Sequence, residues 1–306
     1  MLDSASAFSR RPTAANLIAL KPGRDAGQWR DSREGLAGGR YPYDVNAVFM
    51  PAALRAIARF QQDGSLRRYV TPPQQRAFST ADAQAARWRD HAPGLFRVEL
   101  PAARAAAAVR DYAKTQGIDA AAATTSIGRA ALRFDALALD AKGRPIPVLH
   151  SDGGFALLFL RPDARTLDAA VESMLRPFPA GLLTDAGLLV ANPVYADART
   201  ARSFGRNAYH GTVVWSWQQA LLAAGIAEQL RRDDLPDGIR DRLREAQRRL
   251  WRAIDATVAM RTSELWSWSY AGGRYRAEPF GQSAGDADES NAAQLWSTVY
   301  LAQPRP

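Results

Sequence analysis

Gly27-Gln28-Trp29-Arg30-Asp31-Ser32-Arg33-Glu34-Gly35, continued by Gly38-Gly39-Arg40-Tyr41-Pro42-Tyr43-Asp44-Val45-Asn46, is the stretch on which the reading of this chain turns. It has neither the period of an amphipathic helix nor the alternation of a half-buried strand. Carboxylates (Asp31, Glu34, Asp44), guanidinium groups (Arg30, Arg33, Arg40) and flat rings (Trp29, Tyr41, Tyr43) alternate, with glycines between them. Such a mixture suits the wall of a pocket for a polyhydroxylated ligand. Carboxylates and guanidinium groups bond hydroxyls, and rings stack on the apolar face of a sugar. A surface loop crossed by salt bridges has the same composition, so both readings stay open at this level.

Working outward, the chain has 306 residues and 47% hydrophobic content, enough for one large core. We read 1–306 as a single domain with a polar lead-in over residues 1–18. There is no cysteine, which excludes disulfides, thiolate metal sites and cysteine nucleophiles. The three histidines, His91, His150 and His210, lack metal-ligand spacing, so no histidine-rich zinc site is expected. The net charge is +9 and the pI about 10.2. A basic chain raises the prospect of a polyanionic partner. The positive residues are almost all arginines, scattered among acids as in Arg231-Arg232-Asp233-Asp234, so neither nucleic acid nor a membrane is expected as partner. The first residues carry no apolar signal segment, and no apolar run is long enough for a membrane span. As written the chain stays in the cytoplasm; a signal sequence upstream would make it periplasmic or secreted.

Helices are expected from Pro51, from Thr80 to about His91, over 102–116 with Gly117 as stop, over about 155–159, from Asp163 or Thr166 to about Leu175, over 213–231, over 239–262 and over 290–301. Ile239, Leu243, Ala246, Leu250, Ala253, Ile254 and Val258 form a stripe at helical spacing, and this helix with its predecessor suggests an αα-hairpin. Residues 131–149 alternate around Lys142-Gly143 and predict a short β-hairpin-like excursion near 130–150. Long polar, aromatic loops recur at 150–155, 204–211 and after Trp268. Helices joined alternately by tight turns and by such loops are the pattern of an all-α αα-toroid with a pocket at one end.

Four blocks sharpen this: Gly27–Ser32, Arg40–Asn46, Tyr209-His210-Gly211-Thr212-Val213-Val214-Trp215 and Asn291-Ala292-Ala293-Gln294-Leu295-Trp296-Ser297-Thr298. In content and order they resemble the six-hairpin glycosidases. The nearest likeness is to the amylo-alpha-1,6-glucosidase (glycogen-debranching) type, with glucoamylase, trehalase and mannosyl-oligosaccharide glucosidase as cousins. The resemblance implies an (α/α)6 toroid and inverting hydrolysis of an α-glucosidic or related bond by two carboxylates, set roughly 6.5–9.5 Å apart to admit a water. It implies an oligo- or polysaccharide substrate and no cofactor. By its pattern Asp31 takes the general-acid position, with Glu34 as rival. Arg30 departs from it, standing where glucoamylases carry Glu. For the general base, Glu264-Leu265-Trp266 comes first, Glu278 second and Glu289 third. Trp29, Tyr41, Tyr43, Tyr209, Trp215 and Trp266 are candidates for stacking on sugar. Arg30, Asp44, Asn46, His150, Asp152, Arg206 and His210 are candidates for its hydroxyls, each with a loop-stabilising role as the alternative. Trp217, Trp251 and Trp296 read as helix core.

The acid loop falls near the start of the chain, and there are fewer helices than a closed six-hairpin toroid needs. The chain therefore resembles the C-terminal part of such a catalytic domain, with an upstream segment or self-association expected to close the barrel. A non-catalytic remnant or sugar-binding module of the same fold is the alternative. A basic, all-helical nucleic-acid-binding protein is a weaker one.

Overall fold

The structure is a computed structural model and describes residues 2–260, 262–281, 299, 302, 303 and 305. The expected last helix, the 291–298 block, Trp296 and Glu289 lie outside the described residues. The chain forms two compact units, one of residues 1–97 and 136–146, the other of 98–135 and 147–306. Both are mostly helical with short antiparallel sheets.

The first unit holds α1 (Leu2–Arg10), α2 (Met50–Gln62), α3 (Pro72–Phe78) and α4 (Ala81–Phe96). Its core is α4 packed on α1 and α2. Trp88 lies 4.3 Å from Phe8 ring to ring, and its indole N–H donates to Ala5 O at 3.1 Å. Helix α4 was expected to stop near His91 but runs through Pro93 to Phe96. Pro93 forfeits one helical hydrogen bond. Burial of Ala92 and Phe96, both with no exposed surface, outweighs that loss. Ahead of α2, Asp44–Phe49 is wound as a π-helix, and Pro51 follows within the first turn of α2. Pro51 has no N–H and its ring crowds the preceding turn, so a wider register before it relieves the clash.

Asn46 is the buried clasp of this unit. Its amide donates to Ile18 O at 3.0 Å and Pro42 O at 2.8 Å, while its Oδ1 accepts from Ile18 N at 2.7 Å. The expected hairpin is present. Ala138–Leu139 pairs with Pro145–Ile146 on one side and Tyr41–Pro42 on the other. The Asp140 carboxylate accepts from Lys142 N and Arg144 N across the turn.

The second unit holds α5 (Ala102–Gln116), α6 (Ala121–Ile127), α7 (Gly153–Phe159), α8 (Ala164–Leu175), α9 (Ala198–Arg202), α10 (Ser216–Leu230) and α11 (Asp237–Ala256). Helix α10 buries most of its surface, with α7 and α11 against it, and α11 also packs on α8; on its outer face Trp217, Leu221 and Ala224 are half-buried and Glu228 is exposed. Leu243, Ala246, Leu250, Ala253 and Ile254 of the expected stripe are buried, whereas Val258 is exposed beyond the helix end. Trp251 is buried on the same helix, as expected of core, and Trp217 is half-buried. Gly225 lets α7 come close, because a Cβ there would stand 2.8 Å from Leu157 Cβ. Beyond the helices, Leu265–Ala271 and Arg274–Pro279 form a β-hairpin, with Val214–Trp215 as its third strand. The sequence predicts a long loop after Trp268; cross-strand pairing makes it a hairpin instead. Gly272 and Gly273 both take positive φ (60° and 78°), the demand of a tight two-residue hairpin turn.

Two predictions follow from these anchors. Asn46→Leu removes three hydrogen bonds to backbone, the one to Pro42 O buried, and should cost about 2–4 kcal/mol in urea unfolding; an unchanged midpoint would count against the clasp. Asp163 caps α8 and Asp197 caps α9, and the backbone N–H groups of Thr166 and Thr200 hold these carboxyls below their ordinary range. A depressed folded pKa gives stability that is present above the unfolded value and lost as pH falls through the folded one. Asp163→Asn, which caps about as well, should keep most stability at pH 7 and flatten the acid limb of the pH profile; Asp163→Ala should cost about 1 kcal/mol at pH 7.

Candidate functional site

In the second unit, Glu264 sits immediately before the hairpin strand Leu265–Ala271, where Trp215 is paired with Leu265. Its own carbonyl is held twice by the first residue of α10: Ser216 N donates at 3.0 Å and Ser216 Oγ at 3.1 Å. The backbone under the carboxylate is thus fixed to the start of a buried helix. The Glu264 side chain is inside the protein, the residue being 3% exposed, and Tyr209 Oη donates to its Oε1 at 3.3 Å.

An aromatic box surrounds that tyrosine. Tyr209 meets Trp215 edge-on at 4.8 Å, His210 at 5.0 Å and Phe280 at 6.0 Å between ring centroids. His210 lies flat on Trp215, at 5.4 Å and 11°. Trp215 Nε1 donates to Tyr209 O at 2.9 Å. The loop carrying Tyr209 is laced to the hairpin by Ser267 Oγ on Arg206 O and Trp268 Nε1 on Thr212 O, each at 2.7 Å. It is closed on itself by Thr212 N donating to Phe204 O. Gly211 is enclosed in this loop, where a Cβ would collide with Gly205 O. Beneath the hairpin, Tyr112 and Tyr275 pack on Phe178, and burial pushes both phenol pKa values up.

A second buried polar cluster lies at the start of α7. Leu149–His150 pairs with Ala191–Asn192. Asp152 N donates to His150 Nδ1 at 3.2 Å, and the Asp152 carboxylate is 3.8 Å from the same nitrogen. Ser151 Oγ is 3.0 Å from Gln218 Oε1 of α10, and Gln218 Nε2 has no partner among the described residues. Whichever way that amide is turned, one of its two polar ends is left over. One residue on, Gln219 Oε1 accepts Leu188 N at 2.8 Å.

The Trp29–Asn46 loop belongs to the first unit. Arg30 has no exposed surface, and its guanidinium lies 4.3 Å from the Trp29 ring centroid. Asp31 and Glu34 are exposed. Ser32 Oγ accepts Gly35 N at 2.9 Å. Tyr41 and Tyr43 are buried, with Tyr43 edge-on to Phe96 at 5.5 Å. Asp44 is buried, and its Oδ1 accepts Val45 N at 2.8 Å.

The structure thus draws Tyr209, His210, Trp215 and Glu264 into one cluster and brings His150 and Asp152 together in another. Several expected roles look different in place. Trp266 has no exposed surface; its indole N–H is spent on Ala186 O at 2.7 Å and its ring belongs to the core, leaving no open face for a sugar. The Asn46 amide is used up in its backbone clasp. Arg206 is exposed, 5.6 Å over the Trp268 ring. Glu278 stands opposite Ser267 within the hairpin and is half-buried. Ser216 and Gln218 are not among the candidates that the sequence offers. The available signal was Ser216-Trp217-Gln218-Gln219, a polar run opening an otherwise apolar helix. Among the described residues no group of three or more His, Asp or Glu is placed to hold a metal.

Gly211→Ala tests the loop. With no room for the methyl group against backbone, it should destabilise the chain by about 1–3 kcal/mol and quench or shift the tryptophan fluorescence of the box; a neutral substitution would mean the loop is loose. In comparisons with protein-family models, curated proteins and solved structures, no match to the chain was found.

Proposed function

We propose that the chain is a glycoside hydrolase-like protein acting on an α-glucosidic or related bond by inversion, with Glu264 as general base. The observation that carries this reading is the buried Glu264 carboxyl, hydrogen-bonded by Tyr209 and set within the Tyr209–His210–Trp215–Phe280 box. A base that activates water needs an acceptor held rigidly in place. The doubled Ser216 bond to the Glu264 carbonyl supplies that rigidity. Aromatic rings with a few buried polar groups, His210 and Glu264 here, suit a sugar. The helix contacts α7–α10, α10–α11 and α8–α11 are consistent with the paired helices of an (α/α)6 toroid.

Asp31 as the acid rests on the sequence resemblance. The acid of such a pair needs partial desolvation, whereas Asp31 is exposed beside the buried Arg30. That observation favours a second reading, a sugar-binding module of the same fold without turnover.

Offered α-glucosides and trehalose, the chain should release sugar whose first-formed anomer is inverted, read by proton NMR. Glu264→Gln should lower kcat on the order of 10³-fold, Asp31→Asn should also suppress it, and Glu278→Gln should leave most of it. Full activity in Glu264→Gln removes the base assignment. Calorimetric binding of an oligosaccharide with no turnover selects the module instead.

A further inference from the structure

The chain's positive charge is not shared between the two units. The first unit has 17 Lys and Arg against 9 Asp and Glu, a net +8, so the second carries only +1 of the chain's +9. Within the first unit the excess gathers on one excursion. From Arg59 to Thr80 no residue is buried, and α3 folds back on α2. Arg55, Arg59, Arg67, Arg68 and Arg76 are all exposed, and the sequence between the first and last of them offers a single acid, Asp63. The Asp63 carboxylate is bonded to Ser65 N and Oγ. No carboxylate forms an ion pair with any of these five guanidinium groups among the described residues.

Two of the large hydrophobic side chains most exposed in the structure stand on the same excursion: Phe60, 47% exposed, and Tyr69, 67% exposed, with the Arg68 guanidinium 4.8 Å over the Tyr69 ring. We propose that this ridge, from Arg55 to Arg76, docks on an anionic lipid surface, its arginines on phosphate headgroups and Phe60 and Tyr69 at the headgroup–acyl boundary. Charge excludes a second copy of the same ridge as occupant, since like charges would face each other. Shape decides between lipid and polysaccharide. Sugar sites are concave, whereas a segment with no buried residue projects and meets a broad surface. Basic groups and inserted aromatic rings together give the two signals that reversible membrane attachment requires.

Co-sedimentation of the full chain with vesicles tests this. Vesicles of phosphatidylglycerol and phosphatidylcholine should bind it, pure phosphatidylcholine vesicles should not, and binding should weaken with salt. Arg67→Gln and Arg68→Gln should each lower the partition coefficient about fivefold, and Phe60→Ser with Tyr69→Ser should lower it further. Arg199→Gln, in the other unit, should not change it. All these positions are solvent-exposed, so folding is preserved, checked by circular dichroism. The proposal is overturned if the anionic vesicles fail to bind at low salt, if phosphatidylcholine binds equally, or if the ridge variants bind like the parent. Tighter binding of heparin or DNA than of the vesicles, lost in the same arginine variants, overturns it in favour of a soluble polyanion.

Discussion

The buried face of helix α10 carries Ser216, Gln218, Gln219 and Gln229, and that constraint organises the second unit. A polar group on such a face must find a partner inside the protein or cost several kcal/mol. Its polar side chains accordingly become the unit's fasteners. Ser216 holds the Glu264 carbonyl, Gln218 meets Ser151, Gln219 accepts Leu188 N, and Gln229 donates to the carbonyls that end α7. Arg232, just beyond the helix, continues the pattern: it binds Pro162 O and Gln229, and its guanidinium holds the Asp234 carboxyl well below the usual range. One element therefore positions both the backbone of Glu264 and Ser151 beside the His150–Asp152 pair, chiefly through its side chains.

The first unit spends its polar chemistry differently. Much of what made the Trp29–Asn46 stretch resemble a pocket wall turns inward. Asn46 clasps Ile18 and Pro42, Asp44 bonds its neighbour's N–H, and Tyr43 packs on Phe96. Asp31 and Glu34 remain outside, with Arg30 drawn in beside Trp29. Short side chains next to glycine-rich backbone satisfy local donors and acceptors first, because that costs little conformational entropy.

The charge partition shows a different consequence of folding. Along the chain the arginines look dispersed and interleaved with acids. In the second unit they are, as Arg242–Asp168, Arg244–Asp241 and Arg248–Glu245 show. On the excursion after α2 they are not: five arginines share a single acid, Asp63, which is bonded to Ser65 and lies in the field of Arg59.

By itself the sequence determined the helices whose ends carry caps or stops: Pro101 to Gly117, Asp163 to Leu175 and the apolar stripe of α11. These signals are local, so a window of residues contains the whole cause. It also singled out Tyr209, His210, Trp215 and Glu264 as residues with chemistry to do. Only tertiary structure decided that those four meet, since they are joined by hydrogen bonds and ring contacts spanning up to 55 residues of chain. It decided too that Trp266 is core while Tyr209 stays half-open, and that α4 continues past Pro93. In each case burial against distant parts of the same unit, worth more than any local preference, made the choice.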